Sequence, residues 1–270
     1  MYDWSLNYVA YSHVDFHRSS IKTLLSLIHS ALGPNGCVNV AFNDQSILMG
    51  DKLNINLYGL FEKNDCSILV RDNDRREFGA YKELCHLNSL KSFERNAIHI
   101  FVNSTWDRHR DASNKVISEI KMSLRSSLSH DSPLFMGPWS TFGAPFIIND
   151  VVIHSWVCTY MFVYNQNALN MGCFELTPEN VINSYFGDGS SEMNYFSNSL
   201  HPLLKQRWEA WFFGLHQNLP KWYGAKNLKD FEPKFLKRKI ISCIDEHYLT
   251  RSAIAKNIPI FPLLKRFTGS

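Results

Sequence analysis

No apolar run in this sequence approaches the roughly 20 residues that a membrane-spanning helix requires, since the strongest covers only residues 156–164. The formal net charge is only +3, and this lack of a strong charge of either sign argues against polyanion binding, so nucleic acid is not expected as a partner. Residues 1–11 include Asp3 and no basic segment ahead of an apolar stretch, so no signal peptide is predicted. We expect a cytoplasmic protein, with contact to the inner face of a membrane as the alternative.

Two short motifs are also missing. The six cysteines include no Cys-x-x-Cys pair and lie mostly in apolar segments, which predicts reduced, buried thiols and neither a zinc site nor a disulfide framework. No Gly-x-Gly-x-x-Gly follows the first predicted strand, which disfavours a Rossmann-type oxidoreductase.

Apolar and aromatic residues, by contrast, are abundant. Hydrophobic residues make up 45% of the 270 residues, enough for a sizeable core in one large domain or in one domain with a helical appendage. Aromatic residues make up 14% and include seven tryptophans. Aromatic faces stack on sugar rings and on bases, which suits a carbohydrate protein, although most of these rings are expected in the core.

Strands and helices are predicted to alternate along the first half of the chain. The first helix has Ser19 or Ser20 as its expected cap and Gly33-Pro34 as its stop. This alternation predicts an α/β fold with a mainly parallel sheet and helices on both faces. The predicted strands are 6–11, 37–42, 66–70 and 98–102, and the predicted helices are 19–32, one that begins near Ala80, and 111–128.

The second half of the chain gives a mixed pattern that ends in helices. The composition changes near Leu219-Pro220, which predicts a domain of residues 1–219 followed by a basic, aromatic helical extension of residues 220–270. Short strands or loops are predicted at 134–139 and 146–153, one long strand at 154–164, and helices at 179–185, at 191–204 and beyond residue 205.

The segment 70–81, Val-Arg-Asp-Asn-Asp-Arg-Arg-Glu-Phe-Gly-Ala-Tyr, is the most informative in the chain. It follows an apolar run that predicts a buried strand, and it continues through a charged turn into a helix entry with Gly79 and Ala80. A strand, a polar turn and a small-residue helix entry present backbone and side chains to a nucleotide at the carboxyl edge of an α/β sheet. An ordinary strand-to-helix connection is the alternative.

This segment resembles the Asn-x-Gly-Arg-Asp-Phe-Gly-Ala-Tyr signature of bacterial polysaccharide-assembly proteins related to the rhamnan-synthesis glycosyltransferases. Residues 98–105 resemble the family's apolar strand that ends in Asn-Asp-Ser, and residues 154–162 resemble its His-x-Gln-Ser-aromatic strand. The resemblance runs from about residue 36 to residue 200. It implies a GT-A-like (Rossmann-like) transferase that binds a nucleotide sugar as donor and a glycan or lipid-linked glycan as acceptor, in the assembly of a surface polysaccharide such as O-antigen or capsule.

The sequence departs from this family at two positions. Ser104 stands where the family has the aspartate of Asn-Asp-Ser, so a Mg²⁺ or Mn²⁺ cofactor is not expected, and Asp107 is the residue that could substitute. Arg75 stands where the family has a glycine. Arg75 and Arg76 are then either a metal-free clamp for the donor diphosphate or partners of the acidic residues in the same turn.

We expect two groups of binding residues. The donor side comprises the nucleoside contacts Tyr11 and Asn43 and the diphosphate contacts Asn73, Arg75, Arg76 and Asn103. The acceptor side comprises His154 and Trp156, and for His154 a donor contact or a structural role is the alternative.

Two glutamates are candidates for the general base. Glu192 follows Gly187-Asp188-Gly189 and fits the slot of a family glutamate at a helix start, where a favourable interaction with the helix dipole is the alternative role. Glu246 lies in Asp-Glu-His-Tyr-Leu-Thr-Arg, which resembles the Glu-Asp-x-x-Leu-x-x-Arg element of other GT-A transferases, but a structural helix is the alternative. The lost aspartate also leaves open a catalytically inactive, carbohydrate-binding or scaffold subunit.

The segment 221–239, from Lys221 to Lys239, carries seven basic residues interleaved with aromatic ones. Such a composition suits the surface of an anionic membrane, and a solvated charged face is the alternative.

Overall fold

The computed structural model describes residues 1–10, 14–43, 65–72, 75–104, 106, 114–222 and 224–263. Within them, a seven-stranded sheet has the strand order β11-β5-β10-β4-β1-β2-β3. The strands are β1 (Tyr2–Ala10), β2 (Gly36–Phe42), β3 (Asp65–Val70), β4 (Phe93–Asn103), β5 (Phe135–Gly137), β6 (Trp139–Ser140), β7 (Phe146–Ile148), β8 (Val151–Ile153), β9 (Trp156–Val157), β10 (Met161–Asn165) and β11 (Ile260–Pro262). The helices are α1 (Val14–Leu32), α2 (Arg76–Ser89), α3 (Asn114–Ser127), α4 (Gln166–Asn170), α5 (Glu179–Ser184), α6 (Pro202–Phe213) and α7 (Pro233–Ala255).

Four of the six strand pairs in this sheet are parallel, and only β10 runs antiparallel to its neighbours. The side chains of β1 alternate between two buried layers, because Trp4, Leu6 and Tyr8 contact α1 and α3 while Val9 packs with residues of α2 on the opposite face. Burial on both faces is what a parallel sheet requires. The prediction of an α/β fold with a mainly parallel sheet and flanking helices is confirmed.

A layer of polar side chains lies beneath α2 on the same face as Val9. The amide of Asn7 accepts from the side-chain nitrogens of Asn39 and Asn88 at 3.0 Å each, and it donates to Ser5 Oγ at 2.8 Å. Ser5 Oγ in turn lies 2.9 Å from Nδ1 of His99. Burial lowers the pKa of His99 to about 4, so the imidazole is neutral at pH 7. These hydrogen bonds satisfy polar groups that burial would otherwise penalise.

The second half of the chain packs as an aromatic cluster against one end of the sheet. The small sheets β6–β9 and β7–β8 and the helices α6 and α7 enclose it. At its centre, His247 of α7 lies 4.7 Å from Trp156 and 5.8 Å from Trp208 between ring centroids. Burial lowers the pKa of His247 to about 3, so this ring too is neutral. Residues 220–263 supply α7 and also β11, a strand that was not predicted.

Several predicted elements were wrong in extent or type. The helix predicted at 191–204 is a short 3₁₀ turn (Glu192–Asn194) and then α6, because Pro202 at the first position of α6 starts a helix and cannot continue one. The strand predicted at 154–164 is split into β9 and β10 by hydrogen bonds that draw residues 157 and 159 towards α7. The strand predicted as buried, β3, is a half-buried edge strand. The first helix begins at Val14, so residues 19 and 20 lie inside it rather than at its start.

The cysteines are less buried than predicted. All six cysteines are free thiols, but only Cys37 and Cys173 are buried and the other four are half-buried. Among the helices within the described ranges, none is long and apolar enough to cross a membrane.

Candidate functional site

The strand order reverses between β1 and β4, so the crevice at their carboxyl ends is where an open α/β sheet binds ligands. β1 continues to the neighbour β2 on one side, and its other neighbour, β4, comes from later in the chain. Asn43 follows β2, Asn103 ends β4 and Ser104 follows it. Neighbouring strands lie about 4.8 Å apart, so β2 and β4 are separated by about 10 Å across β1. The predicted donor residues Asn43 and Asn103 therefore share this edge.

Two residues of the edge hold the turn that leads into α2. Asn43 Nδ2 donates to the carbonyl oxygen of Arg76 at 3.0 Å, and Arg71 Nη1 donates to Asn43 Oδ1 at 3.0 Å and to the same Arg76 carbonyl at 3.3 Å. Arg71 is itself fixed by Glu83, whose Oε1 lies 2.9 Å from Arg71 Nε. Arg71 was not among the predicted site residues. Arg71 could have been found from the sequence, because it directly follows a predicted strand, as Asn43 does.

The turn itself is in the left-handed region at two consecutive residues, with φ of 55° at Arg75 and 49° at Arg76. A non-glycine residue costs about 1–2 kcal/mol in this conformation. A glycine at position 75, which the resemblance leads one to expect, adopts it without that cost. The hydrogen bonds from Asn43 and Arg71 to the Arg76 carbonyl compensate for the strained turn and hold the start of α2 beside the end of β2.

Arg75 is occupied by contacts within the protein. Its Nη1 donates to the carbonyl of Thr177 at 2.9 Å and to Oδ1 of the buried Asp245 at 3.3 Å, and its Nη2 lies 3.1 Å from Glu179 Oε2. Burial raises the pKa of Asp245 to about 6, and the Thr177 backbone N–H and the Arg75 charge oppose that rise. The acidic partners of Arg75 are thus Asp245 of α7 and Glu179 of α5, whereas the predicted alternative paired it with acidic residues of its own turn. These ion pairs connect the sheet edge to α7.

Arg76 makes a different set of contacts. Its guanidinium carbon lies 5.9 Å from the ring centroid of Phe235, and its Nε lies 3.5 Å from Oε2 of Glu77. A guanidinium over an aromatic face keeps its in-plane N–H groups directed away from the ring. Arg76 thus differs from Arg75 in pairing with a neighbouring carboxylate and an exposed ring rather than with a buried acid.

Glu192 lies away from this turn and caps another one. Its Oε1 accepts the backbone N–H of Leu228 at 2.9 Å, at the start of the 3₁₀ turn Leu228–Asp230. That hydrogen bond lowers the pKa of Glu192, which is the direction opposite to the one that favours a general base at neutral pH.

Glu246 and Trp156, a candidate base and a candidate acceptor contact, are brought together. Glu246 Oε1 accepts from Trp156 Nε1 at 2.9 Å, and its Oε2 accepts from Thr159 N at 3.1 Å and Thr159 Oγ1 at 2.8 Å. Burial raises the pKa of Glu246, while these three hydrogen bonds favour the ionised form. The carboxylate therefore fixes the segment between β9 and β10 to α7.

His154 is exposed and lies before β9 rather than at the start of a strand. The residue that hydrogen-bonds to the β4 end is Tyr160, whose carbonyl accepts from Asn103 N at 3.1 Å. His154 and Trp156 both line a cleft of about 440 Å³ between the β8–β9 segment and the chain that joins α7 to β11.

Three of the predicted site residues, Tyr11, Asn73 and Asp107, lie outside the described residues. At the part of the edge that the structure describes, Asn103 and Ser104 supply amide and hydroxyl oxygens and no carboxylate. This donor set does not match the carboxylate-rich ligation that Mg²⁺ or Mn²⁺ prefers. Across the described ranges, no three His, Cys, Asp or Glu side chains form a group that could hold a metal ion.

Comparisons with known proteins give a remote likeness. No family model matches the chain, and no curated protein matches it. Among solved structures, it is similar to the mannosyltransferase PcManGT from Pyrobaculum calidifontis in complex with GDP-Man and Mn²⁺, with 8% sequence identity and a TM-score of 0.38. The match covers 72% of this chain and 53% of the mannosyltransferase, so the chain spans about half the length of that structure. A likeness this remote assigns no activity.

Proposed function

We propose that this protein is a GT-A-like glycosyltransferase that moves a sugar from a nucleotide-activated donor to a growing bacterial surface polysaccharide, such as O-antigen or capsule. The observation that carries the proposal is the reversal of strand order between β1 and β4, with Asn43 and Asn103 at the carboxyl ends of a parallel half-sheet. The three ordered motifs at 70–81, 98–105 and 154–162 direct the choice among nucleotide-binding functions towards glycosyl transfer.

In this proposal the donor diphosphate lies beside the first turn of α2. Arg76 supplies the charge-assisted contact beside its own ion pair with Glu77, at the first residue of α2, whereas Arg75 is held by the buried Asp245 and by Glu179. Asn103 and Ser104 donate or accept hydrogen bonds at the end of β4, and Asn43 positions the turn. Tyr11 and Asn73 complete the donor side. No step is assigned to a divalent ion, because the described donors do not suit one.

Glu192 remains the proposed general base, and Glu246 is the alternative. Glu192 uses Oε1 to accept from Leu228, whereas both oxygens of Glu246 accept hydrogen bonds from Trp156 and Thr159. A carboxylate that takes a proton from an acceptor hydroxyl needs a lone pair directed at it. Three of the roughly four acceptor sites of the Glu246 carboxylate are taken by Trp156 and Thr159, which leaves little room for an acceptor hydroxyl.

A catalytically inactive, glycan-binding subunit of the same assembly machinery is the second candidate. Two observations favour it, namely the serine in place of the family's carboxylate at position 104 and the ion pairs that occupy Arg75. In this case the half-sheet would serve as a scaffold.

Contact with an anionic membrane surface is the third part of the proposal. Residues 221–239 hold seven basic and two acidic residues, a net charge of +5 against +3 for the whole chain, so the remainder carries −2. Phe235 is 42% exposed within this segment. Sedimentation with phosphatidylserine vesicles should deplete the protein, and phosphatidylcholine vesicles should leave it in solution.

The deciding experiment is thermal stabilisation across a panel of nucleotides and nucleotide sugars, each measured in EDTA and in millimolar Mn²⁺. Selective stabilisation by one nucleotide, followed by transfer of its sugar to an oligosaccharide, supports the enzyme. If none of them stabilises the protein, the proposed transferase function is contradicted and the inactive subunit is supported. We expect nearly the same dissociation constant in EDTA and Mn²⁺, and a hundredfold loss in EDTA, about 2.7 kcal/mol, would show that an acid such as Asp107 holds an ion.

A further inference from the structure

The cleft beside β9 has the volume and the mostly apolar lining of a small-molecule site. Its walls come from the β6 and β8–β9 segments on one side and from the end of α7 and the start of β11 on the other. At about 440 Å³ it falls within the roughly 300–1,000 Å³ of small-molecule sites. Most of the lining is apolar, and His154, Ser155 and Asn257 supply the polar groups.

No Lys, Arg, Asp or Glu is among the residues that line this cleft, all of which belong to the described chain. A phosphate or a carboxylate buried there would lack a compensating charge, and such burial is costly. The chemistry of the cleft therefore favours a neutral ligand that has both apolar faces and hydroxyl edges.

Trp139 and Trp156 give the cleft its aromatic surfaces. The Trp139 side chain is 38% exposed and presents ring surface to solvent, while Trp156 is 7% exposed. The hydrogen bond from Trp156 Nε1 to Glu246 at 2.9 Å fixes the orientation of the second ring. The exposed ring of Trp139 offers a face that suits the C–H face of a pyranose, and the fixed Trp156 forms the inner wall of the cleft.

The cleft is also close to the proposed donor site. Trp156 lines it, and four residues later the Tyr160 carbonyl accepts from Asn103 N at 3.1 Å at the end of β4. Four residues extend at most about 14 Å. A glycan in the cleft is thus within a few sugar rings of the crevice between β1 and β4.

We propose that this cleft binds a neutral glycan segment, with Trp139 as the stacking platform and His154, Ser155 and Asn257 as hydrogen-bonding partners of its hydroxyl groups. That the glycan is the transfer acceptor rests on the proposed function. That the cleft binds it does not.

The test is titration of the full chain with neutral tetrasaccharides of rhamnose, mannose and glucose, and with a uronic-acid tetrasaccharide of equal length. The proposal expects a neutral tetrasaccharide to bind at millimolar or lower concentration, and the uronic-acid chain to bind at least tenfold more weakly. Trp139→Ala should weaken binding at least tenfold and His154→Ala several-fold. Trp211→Ala is the matched control, because Trp211 is also 38% exposed but lies on α6, and it should change binding less than twofold.

Two results would overturn the proposal: no neutral tetrasaccharide binds the wild-type chain, or Trp139→Ala binds as tightly as Trp211→Ala while both remain folded by circular dichroism. Nucleotide titrations run in parallel separate this proposal from the preceding one. If glycan binding is lost in Trp139→Ala but no nucleotide binds to any variant, the proposed glycan site is supported and the proposed transferase function is contradicted.

Discussion

The Arg75 guanidinium pairs with the buried carboxylate of Asp245 at 3.3 Å, across 170 residues of sequence. The pair ties the left-handed turn at the sheet edge to the middle of α7, and Ser242 on the same helix donates to Glu77 at 3.0 Å. The helix that closes the aromatic cluster is thereby connected through charged and polar groups to the proposed nucleotide site.

The Arg75→Gly variant should report how much the Arg75–Asp245 ion pair contributes to the free energy of unfolding. Glycine relieves the left-handed strain but is itself more flexible when unfolded, and these two effects offset each other. Loss of the ion pair is then the main remaining effect, and we expect the free energy of unfolding to fall by about 2–3 kcal/mol. This is less than for a fully buried pair, because the Arg75 side chain is 18% exposed. Urea denaturation measures it.

The matched control is Asp245→Asn in the Arg75→Gly background. If Arg75 acts through Asp245, the double variant should recover at least about 1 kcal/mol relative to Arg75→Gly, because it leaves no unpaired buried charge. Strict additivity of the two substitutions would contradict the assigned pairing.

Asp245 should also give the protein a pH-dependent stability. Its pKa is raised from 3.8 to about 6 in the folded chain, so between these values the folded chain holds a proton that the unfolded chain has released. The free energy of unfolding should therefore fall as the pH rises through this window, by about 1.4 kcal/mol per pH unit, or about 3 kcal/mol in all. Asp245→Asn removes this contribution, so the wild type should lose stability relative to the variant between about pH 4 and pH 7. If the free energies of unfolding of wild type and Asp245→Asn change in parallel over this pH range, the pKa of Asp245 is not raised in the folded chain.

Arg76→Ala should weaken binding of a nucleoside diphosphate and spare the nucleoside. Loss of one charge-assisted contact costs about 1.5–3 kcal/mol. Isothermal titration with both ligands measures the difference, and Lys82→Ala, an exposed cation on the same helix, is the control. Equal diphosphate affinity in wild type and Arg76→Ala would leave Arg76 with a structural role only.

Glu192→Gln and Glu246→Gln should differ in both activity and stability. A glutamine side chain at position 192 retains an oxygen for the Leu228 N–H but cannot accept a proton, so transfer should be lost while the melting temperature and donor affinity are unchanged. At position 246 a glutamine turns an N–H₂ towards Trp156 or Thr159, both of which donate, so this variant should lose about 1–3 kcal/mol of stability. Normal turnover by Glu192→Gln together with an inactive, fully stable Glu246→Gln would move the base to Glu246.

The sequence predicted the half-sheet well because its signals are local. Short apolar segments placed β2, β3 and β4, and Asn43 and Asn103 were selected at the ends of two of these strands. Arg75 and Arg76 were recognised as a pair with two alternative roles, but their separate side-chain partners include Thr177, Asp245 and Phe235. Those residues are at least 100 positions away, and no local pattern points to them.

The second half was predicted less well for the same reason. The run 154–164 has the composition of one strand, yet Glu246 and Thr250 of α7 accept hydrogen bonds from its backbone and break it. Glu192 was expected at a helix start and instead caps a turn 36 residues later through Leu228. The role of Glu246 depends equally on Trp156, 90 residues earlier. Pairings this distant are set by the packing of α7, which the sequence pattern does not encode.

The strand β11 pairs in parallel with β5, so residue 260 lies beside residue 135. During synthesis, the other six strands of the sheet are available well before the chain reaches this segment. The outer edge of β5 therefore stays unpaired until the last part of the described chain has emerged, and unpaired edges are where strands from separate chains associate. Until β11 pairs, this edge is therefore a place where a strand from a second chain could associate.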